Sequence, residues 1–183
     1  MNSTSKYPLN EETSICKKDQ DCDCQHPKGN KVLFESSYGN FGPLDITFTE
    51  GVLIQTFNQP ISSVTIDTTC LNVTNTLIDF TGILNVTTAN VAATSALTFT
   101  LFKTCTDRRM RQTVSTANFF AADPVAGATA SFTLAFKFPF KNNDCKDCCT
   151  YILELTNISN QVAGTITYSV NGTFSALAIV SAC

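Results

Sequence analysis

Ser131-Phe132-Thr133-Leu134-Ala135-Phe136-Lys137-Phe138 sets a large apolar side chain at every even position and a small or polar one at every odd position. Successive side chains of a β-strand point to opposite faces, so a period of two reads as a strand with one buried face. Leu97-Thr98-Phe99-Thr100-Leu101 repeats the alternation. No stretch of about ten residues carries the helical period of about 3.6, and helix is expected to be scarce.

Working outward from that segment, Val32-Leu33-Phe34, Leu44 to Phe48, Val52-Leu53-Ile54 and Val64 to Thr68 are short runs of β-forming residues. They are broken by Gly39, Gly42-Pro43, Gly51 and Asn58-Gln59-Pro60, which are turn signals. Leu77 to Thr88, Ala96 to Lys103, Thr113 to Phe120, Ala130 to Phe138, Tyr151 to Thr156, Gly164 to Val170 and Phe174 to Val180 continue the pattern. The sum is about ten strands at roughly 12-residue spacing. Many one-faced strands without helices predict an all-β fold of two packed antiparallel sheets, a jelly-roll-like sandwich in preference to an immunoglobulin-like one. The chain has no Trp to serve as the buried Trp of immunoglobulin domains, and its 14 Phe are expected to fill the core.

The segment from Met1 to Asn30 is rich in Lys, Asp, Glu, Asn, Gln and Ser and nearly devoid of apolar residues. Such a composition does not repay the entropy of ordering, so 1–30 reads as a flexible N-terminal arm and 31–183 as the sandwich domain. A domain of roughly 150 residues buries enough apolar surface to fold without staples.

Charged residues make up 15% of the chain and the net charge is −3. Twelve Lys and Arg against 15 carboxylates build no basic face, so nucleic acid is not an expected partner. The local cluster Arg108-Arg109-Met110-Arg111 reads as a solvated loop, or else as a source of salt bridges between subunits. The first residues lack the apolar stretch of about 7 to 15 residues that an export signal requires, and no run of about 18 apolar residues exists to enter a membrane. The expectation is a protein made in the cytoplasm without a secretory signal, and stable disulfides then imply release from the reducing compartment.

Nine cysteines are the least ordinary feature. Cys16, Cys22 and Cys24 lie in the charged arm, Cys145, Cys148 and Cys149 in the polar run beginning at Asn142, and Cys183 is the last residue. Cysteines flanked by Asp, Lys and Asn are not core residues, and they are read as bonding to something. An odd count leaves at least one thiol over from any framework closed within one chain, which makes these seven candidates for bonds between subunits. Cys70 and Cys105 each close an apolar strand and read equally as half-buried thiols or as bonds within the domain.

The chemistry of other classes is thin. His26 is the only histidine and lies in the arm, so a nucleophile with a His base would rest on the least ordered part of the chain, and no enzyme is expected. Asp45, Asp67 and Asp79 sit at solvent-facing phase or strand ends. Asp19, Asp21 and Asp23 begin a calcium loop, but Cys24 and Asn30 stand where it needs Gly and Glu. Cys22-x-Cys24-x-His26 with Cys145-x-x-Cys148-Cys149 offers a zinc set of unusual spacing, a secondary reading. No cofactor is expected. Tyr38 and Phe41, beside Gly39 and Gly42, are the one group that resembles an aromatic platform for carbohydrate, the runner-up function as a surface binding module. The Asn-x-Ser/Thr sites at Asn72, Asn85, Asn157 and Asn171 are those expected by chance in so Asn- and Thr-rich a chain.

Val64-Thr65-Ile66-Asp67-Thr68-Thr69-Cys70, the following Ile78-Asp79-Phe80, and Cys145-x-x-Cys148-Cys149-x-Tyr151 resemble an uncharacterised family of small proteins from spore-forming clostridia, over Lys31 to Cys183. In layout, a cysteine-bearing arm before a jelly roll is similar to the subunits of bacillar endospore appendages, fibres whose arms are disulfide-bonded into neighbouring subunits. That resemblance implies subunits made in the mother cell that end on the spore surface. The expected function is a structural subunit of an extracellular, disulfide-cross-linked fibre, a helical homopolymer whose partner is itself, joined through the arm.

Overall fold

The computed structural model describes residues 31–50, 54–68, 73–88, 94–106, 110–122, 125–141, 148–161 and 163–180. They form eight strands: β1 (Lys31–Phe48), β2 (Ile54–Asp67), β3 (Val73–Thr88), β4 (Thr94–Cys105), β5 (Gln112–Ala122), β6 (Thr129–Lys141), β7 (Cys148–Asn160) and β8 (Gly164–Val180). No helix occurs among the described residues. One antiparallel sheet has the order β1-β8-β3-β6 and the other β2-β7-β4-β5. Of all these neighbours only β4 and β5 are consecutive in sequence, so the chain crosses repeatedly between sheets. This is the double Greek-key wiring of a jelly roll.

The strands are fewer and longer than the breaker residues suggest. β1 runs through Gly39 and Gly42-Pro43, with a register shift between Phe41 and Leu44 where it pairs with β8. β2 passes Asn58-Gln59-Pro60 through two further shifts against β7. Bulges absorb residues that would end a flat strand, and they bend the strand around the core. β8 runs unbroken through Asn171-Gly172 because Gly172 meets a need there. Gly39, Gly172 and Gly82 lie opposite one another across β1, β8 and β3. A Cβ on Gly39 would lie 2.7 Å from the Ile61 carbonyl oxygen of the other sheet, and one on Gly172 or Gly82 would meet the Phe80 ring. Absent side chains let the edge of one sheet approach the other and leave room for Phe80.

The core lies between the sheets and is aromatic across its width. Phe99 of β4 meets Phe136 of β6 with ring centroids 4.9 Å apart, and Phe140 of β6 meets Tyr151 of β7 at 5.5 Å. Tyr168 of β8 and Ser95 of β4, both fully buried, share a hydrogen bond of 2.6 Å from sheet to sheet. Not all Phe residues are inside, since Phe34 and Phe120 are largely exposed.

The sandwich has two unlike ends. β1, β3, β5 and β7 begin, and β2, β4, β6 and β8 finish, at one of them. The three described cysteines lie there, Cys105 at the finish of β4 and Cys148 and Cys149 at the start of β7. At the opposite end neither the described residues nor the sequence of the connections 49–53, 89–93, 123–128 and 161–163 includes a cysteine.

Candidate functional site

Residues are built into the cysteine end by strand pairing. Cys149 of β7 lies directly across from Cys105 of β4 and from Ile66 of β2. Side chains directly opposite in an antiparallel pair lie within bonding reach, and Cys105 and Cys149 form a disulfide with a Cα separation of 4.1 Å. Cys148, on the other face of β7, is also disulfide-bonded. Since Cys105 and Cys149 close on each other, the partner of Cys148 lies outside the described residues. The Thr106 N–H donates to the Cys148 carbonyl oxygen at 3.1 Å, pinning the chain beyond β4 to this strand.

These facts correct the reading of the Cys145-x-x-Cys148-Cys149 block as wholly exposed. Cys148 and Cys149 are both buried, because the apolar strand that begins with them already sits between β2 and β4. Cys149 is bonded within the chain rather than to a neighbour, and a disulfide sulfur is no thiolate, so the zinc set loses two of its members. Among the described residues no group of three or more metal-ligating side chains comes together. Cys16, Cys22, Cys24, Cys70, Cys145 and Cys183 lie outside the described residues, as does His26. What the structure adds is the place of the neighbouring strand ends. Lys31, which follows the segment with Cys16, Cys22 and Cys24, Asp67 and Val73, which flank the Cys70 segment, Lys141, which precedes the Cys145 segment, and Val180, which precedes Cys183, all lie at this one end.

The Arg111 side chain, expected in solvent or between subunits, pairs with Glu154 of β7 in the same chain. Its guanidinium lies 3.4 Å from the centre of the Phe102 ring. Glu154 is only 4% exposed, so the arginine stacked on Phe102 supplies the countercharge that a buried carboxylate requires. Lys103 lies over both Phe140 and Tyr151, closing the core at this end with its ammonium 5.9 and 5.8 Å from the rings.

The outer face of the β1-β8-β3-β6 sheet is divided. Toward the cysteine-free end it is a mesh of short polar side chains: Thr47 with Thr165, Thr167 donating to Asp45, Thr87 with Thr129, and Ser131 donating to Asn85. Toward the cysteine end the facing residues turn apolar, and Phe34, Leu177, Leu77 and Pro139 form one row across all four strands. Val32 and Ile179 lie in the next row. A hollow of about 500 Å³ opens here, lined in part by Leu77, Pro139, Leu177, Ile179 and Lys141. This strip was missed in the sequence because each of its strands shows only one or two outward apolar residues, and only register joins them. Of the aromatic pair read as a platform, Tyr38 is exposed but Phe41 is buried in the core, so the two cannot bind one sugar face.

No curated protein matches the chain. Among solved structures it is similar to the VP2 subviral particle of infectious bursal disease virus, at 15% identity and a TM-score of 0.38 over 85% of this chain and 38% of that one. It is similar also to the Gx strain of that virus, at 10% identity and a TM-score of 0.30 over 85% and 40% of the two chains. The chain thus spans less than half the length of each of these proteins. A family model described as a domain of unknown function, DUF4489, matches residues 44–179, from the second half of β1 to the last turn of alternation in β8; the chain belongs to that family.

Proposed function

We propose that the protein is a non-enzymatic structural subunit that polymerises through disulfides into an extracellular fibre of the spore-appendage or pilus kind. In this reading 31–183 is the building block and 1–30 the connector that enters a neighbouring subunit, with Cys16, Cys22 and Cys24 as its staples. The observation that supports it is that the described strand ends bordering the cysteine-bearing segments gather at one end of the sandwich. The strand ends that border the segments with Cys16, Cys22, Cys24, Cys70, Cys145 and Cys183 all meet where Cys105, Cys148 and Cys149 lie, and no described residue of the other end is a cysteine. A fold of this size needs no such density of cross-links for its own stability. The count of nine also leaves at least one thiol over from any set of bonds within the chain. A contact between unlike ends is heterologous and grows into an open filament unless its rotation closes a ring.

A non-reducing gel and negative-stain images of the purified full-length protein, each repeated after strong reductant, test the reading. Ladders and fibres that reductant loosens are expected. A monodisperse monomer at high concentration under oxidising conditions would overturn it.

A further inference from the structure

The polymer reading leaves open which surfaces meet, and on that reading we infer that the apolar strip at the cysteine end receives the opposite end of a second copy of this chain. The strip consists of Val32, Phe34, Leu77, Pro139, Leu177 and Ile179 on the outer face of one sheet. Val32 is 59% exposed and Phe34 61%; elsewhere on this face Tyr38 and Ile83 stand open singly, and Thr47 with Thr165, Thr87 with Thr129 and Ser131 with Asn85 are tied up in hydrogen bonds. A contiguous apolar area with a hollow in it is the mark of a contact surface rather than of ordinary exposed side chains.

The occupant is argued from the other end of the same molecule. There Val125 is 71% exposed and Phe120 69%, and Ile54 stands open at the start of β2. Val125 is held out on a fixed turn: its carbonyl oxygen accepts from the Thr88 hydroxyl at 3.2 Å and from the Ala128 N–H at 3.0 Å, and the Gly127 N–H donates to the Thr88 carbonyl at 2.7 Å. A braced projection loses little freedom on entering a hollow. Charge agrees with this pairing. Lys141 lines the hollow, whereas the connections of the opposite end carry Glu50 and Asp123 as their only charged residues. Two strips placed face to face would instead set lysine against lysine and close into a dimer, which is not a growing contact. The strip and the cysteine end adjoin, so the same docking that buries Phe34 brings the next copy beside the cysteines.

The test uses full-length Phe34→Asp, which faces the acidic connections of the opposite end, and Val125→Lys, which faces Lys141, two exposed positions whose change should leave the unfolding midpoint as in wild type. Phe34→Ser and Val125→Ser replace them where it does not. Each variant alone should lengthen fibres at least about tenfold more slowly, since a charge buried in an apolar contact beside a like charge lacks a partner. An equimolar mixture should give discrete dimers and nothing longer, because each variant keeps the one face that the other lacks. Wild-type fibre growth by both variants would overturn the inference while leaving the fibre reading intact. A wild-type protein that stays monomeric would overturn both. Loss of assembly in Phe34→Asp alone, with wild-type protein stopping at dimers, would assign the strip to a symmetric contact instead. Cross-links from residues 1–30 to the strip within one chain would assign it to the chain's own segment.

Discussion

Glu154 alternates into the outer phase of Tyr151-Ile152-Leu153-Glu154-Leu155, where a strand pattern places solvent, yet it is buried because Arg111 reaches over Phe102 to cover it. Removing the cation leaves a carboxylate shut away from water. Arg111→Ala should therefore lower the unfolding free energy by about 2 kcal/mol, between the values for exposed and for fully buried pairs. A urea titration reads this, and an unchanged midpoint would show the pair to be idle. The arginine cluster was visible in the sequence and its partner was not. The ion pair joins the entry of β5 to the middle of β7, and nothing in the local pattern of either strand records that meeting. The same holds for Phe41, whose neighbouring glycines suggest a loop, but whose register opposite Val170 turns it inward.

At the level of elements, the alternating cores of β3, β4, β6 and β7 are legible because each buries one face and the period of two follows directly from that. β1, β2 and β8 are less so. Their glycines, prolines and asparagines read as turns but sit at bulges, or where the other sheet (at Gly39) or the Phe80 ring and the neighbouring strand (at Gly172) come too near for a Cβ. Which strands pair was beyond reach as well, since only one neighbouring pair is consecutive in sequence. That pairing decides the fate of Cys105, which the sequence left between thiol and bond, and of Cys149, which it placed on the surface. The Cys105–Cys149 bond ties β4 to β7 across a sequence separation of 44. Changing both residues to Ala frees the unfolded chain, and the loss expected from loop closure is about 4 kcal/mol. The domain should stay folded with an earlier denaturant midpoint; an unmoved midpoint would mean that the bond constrains nothing that the sheet does not already fix.

The described residues form a sandwich with two poles, one holding every described cysteine and an apolar strip, the other without a described cysteine, braced and acidic in its connections. The all-β, two-sheet architecture was legible from alternation alone. The polarity was not, because it exists only once eight strands are wired in jelly-roll order and the strand ends bordering the cysteine-bearing segments fall at one pole. The fibre that we propose would use this polarity for head-to-tail growth, and the proposal stands on bonds that pass between chains. The direct measurement mixes full-length protein grown on ¹⁴N with protein grown on ¹⁵N before oxidation, digests the product without reduction, and weighs the cross-linked peptides. Peptide pairs in which Cys16, Cys22 or Cys24 from one isotope is joined to a cysteine of 31–183 from the other are expected, with Cys105–Cys149 always of one isotope. If every cross-linked pair were of a single isotope, the disulfides would lie within chains and the protein would not be a covalently linked fibre subunit.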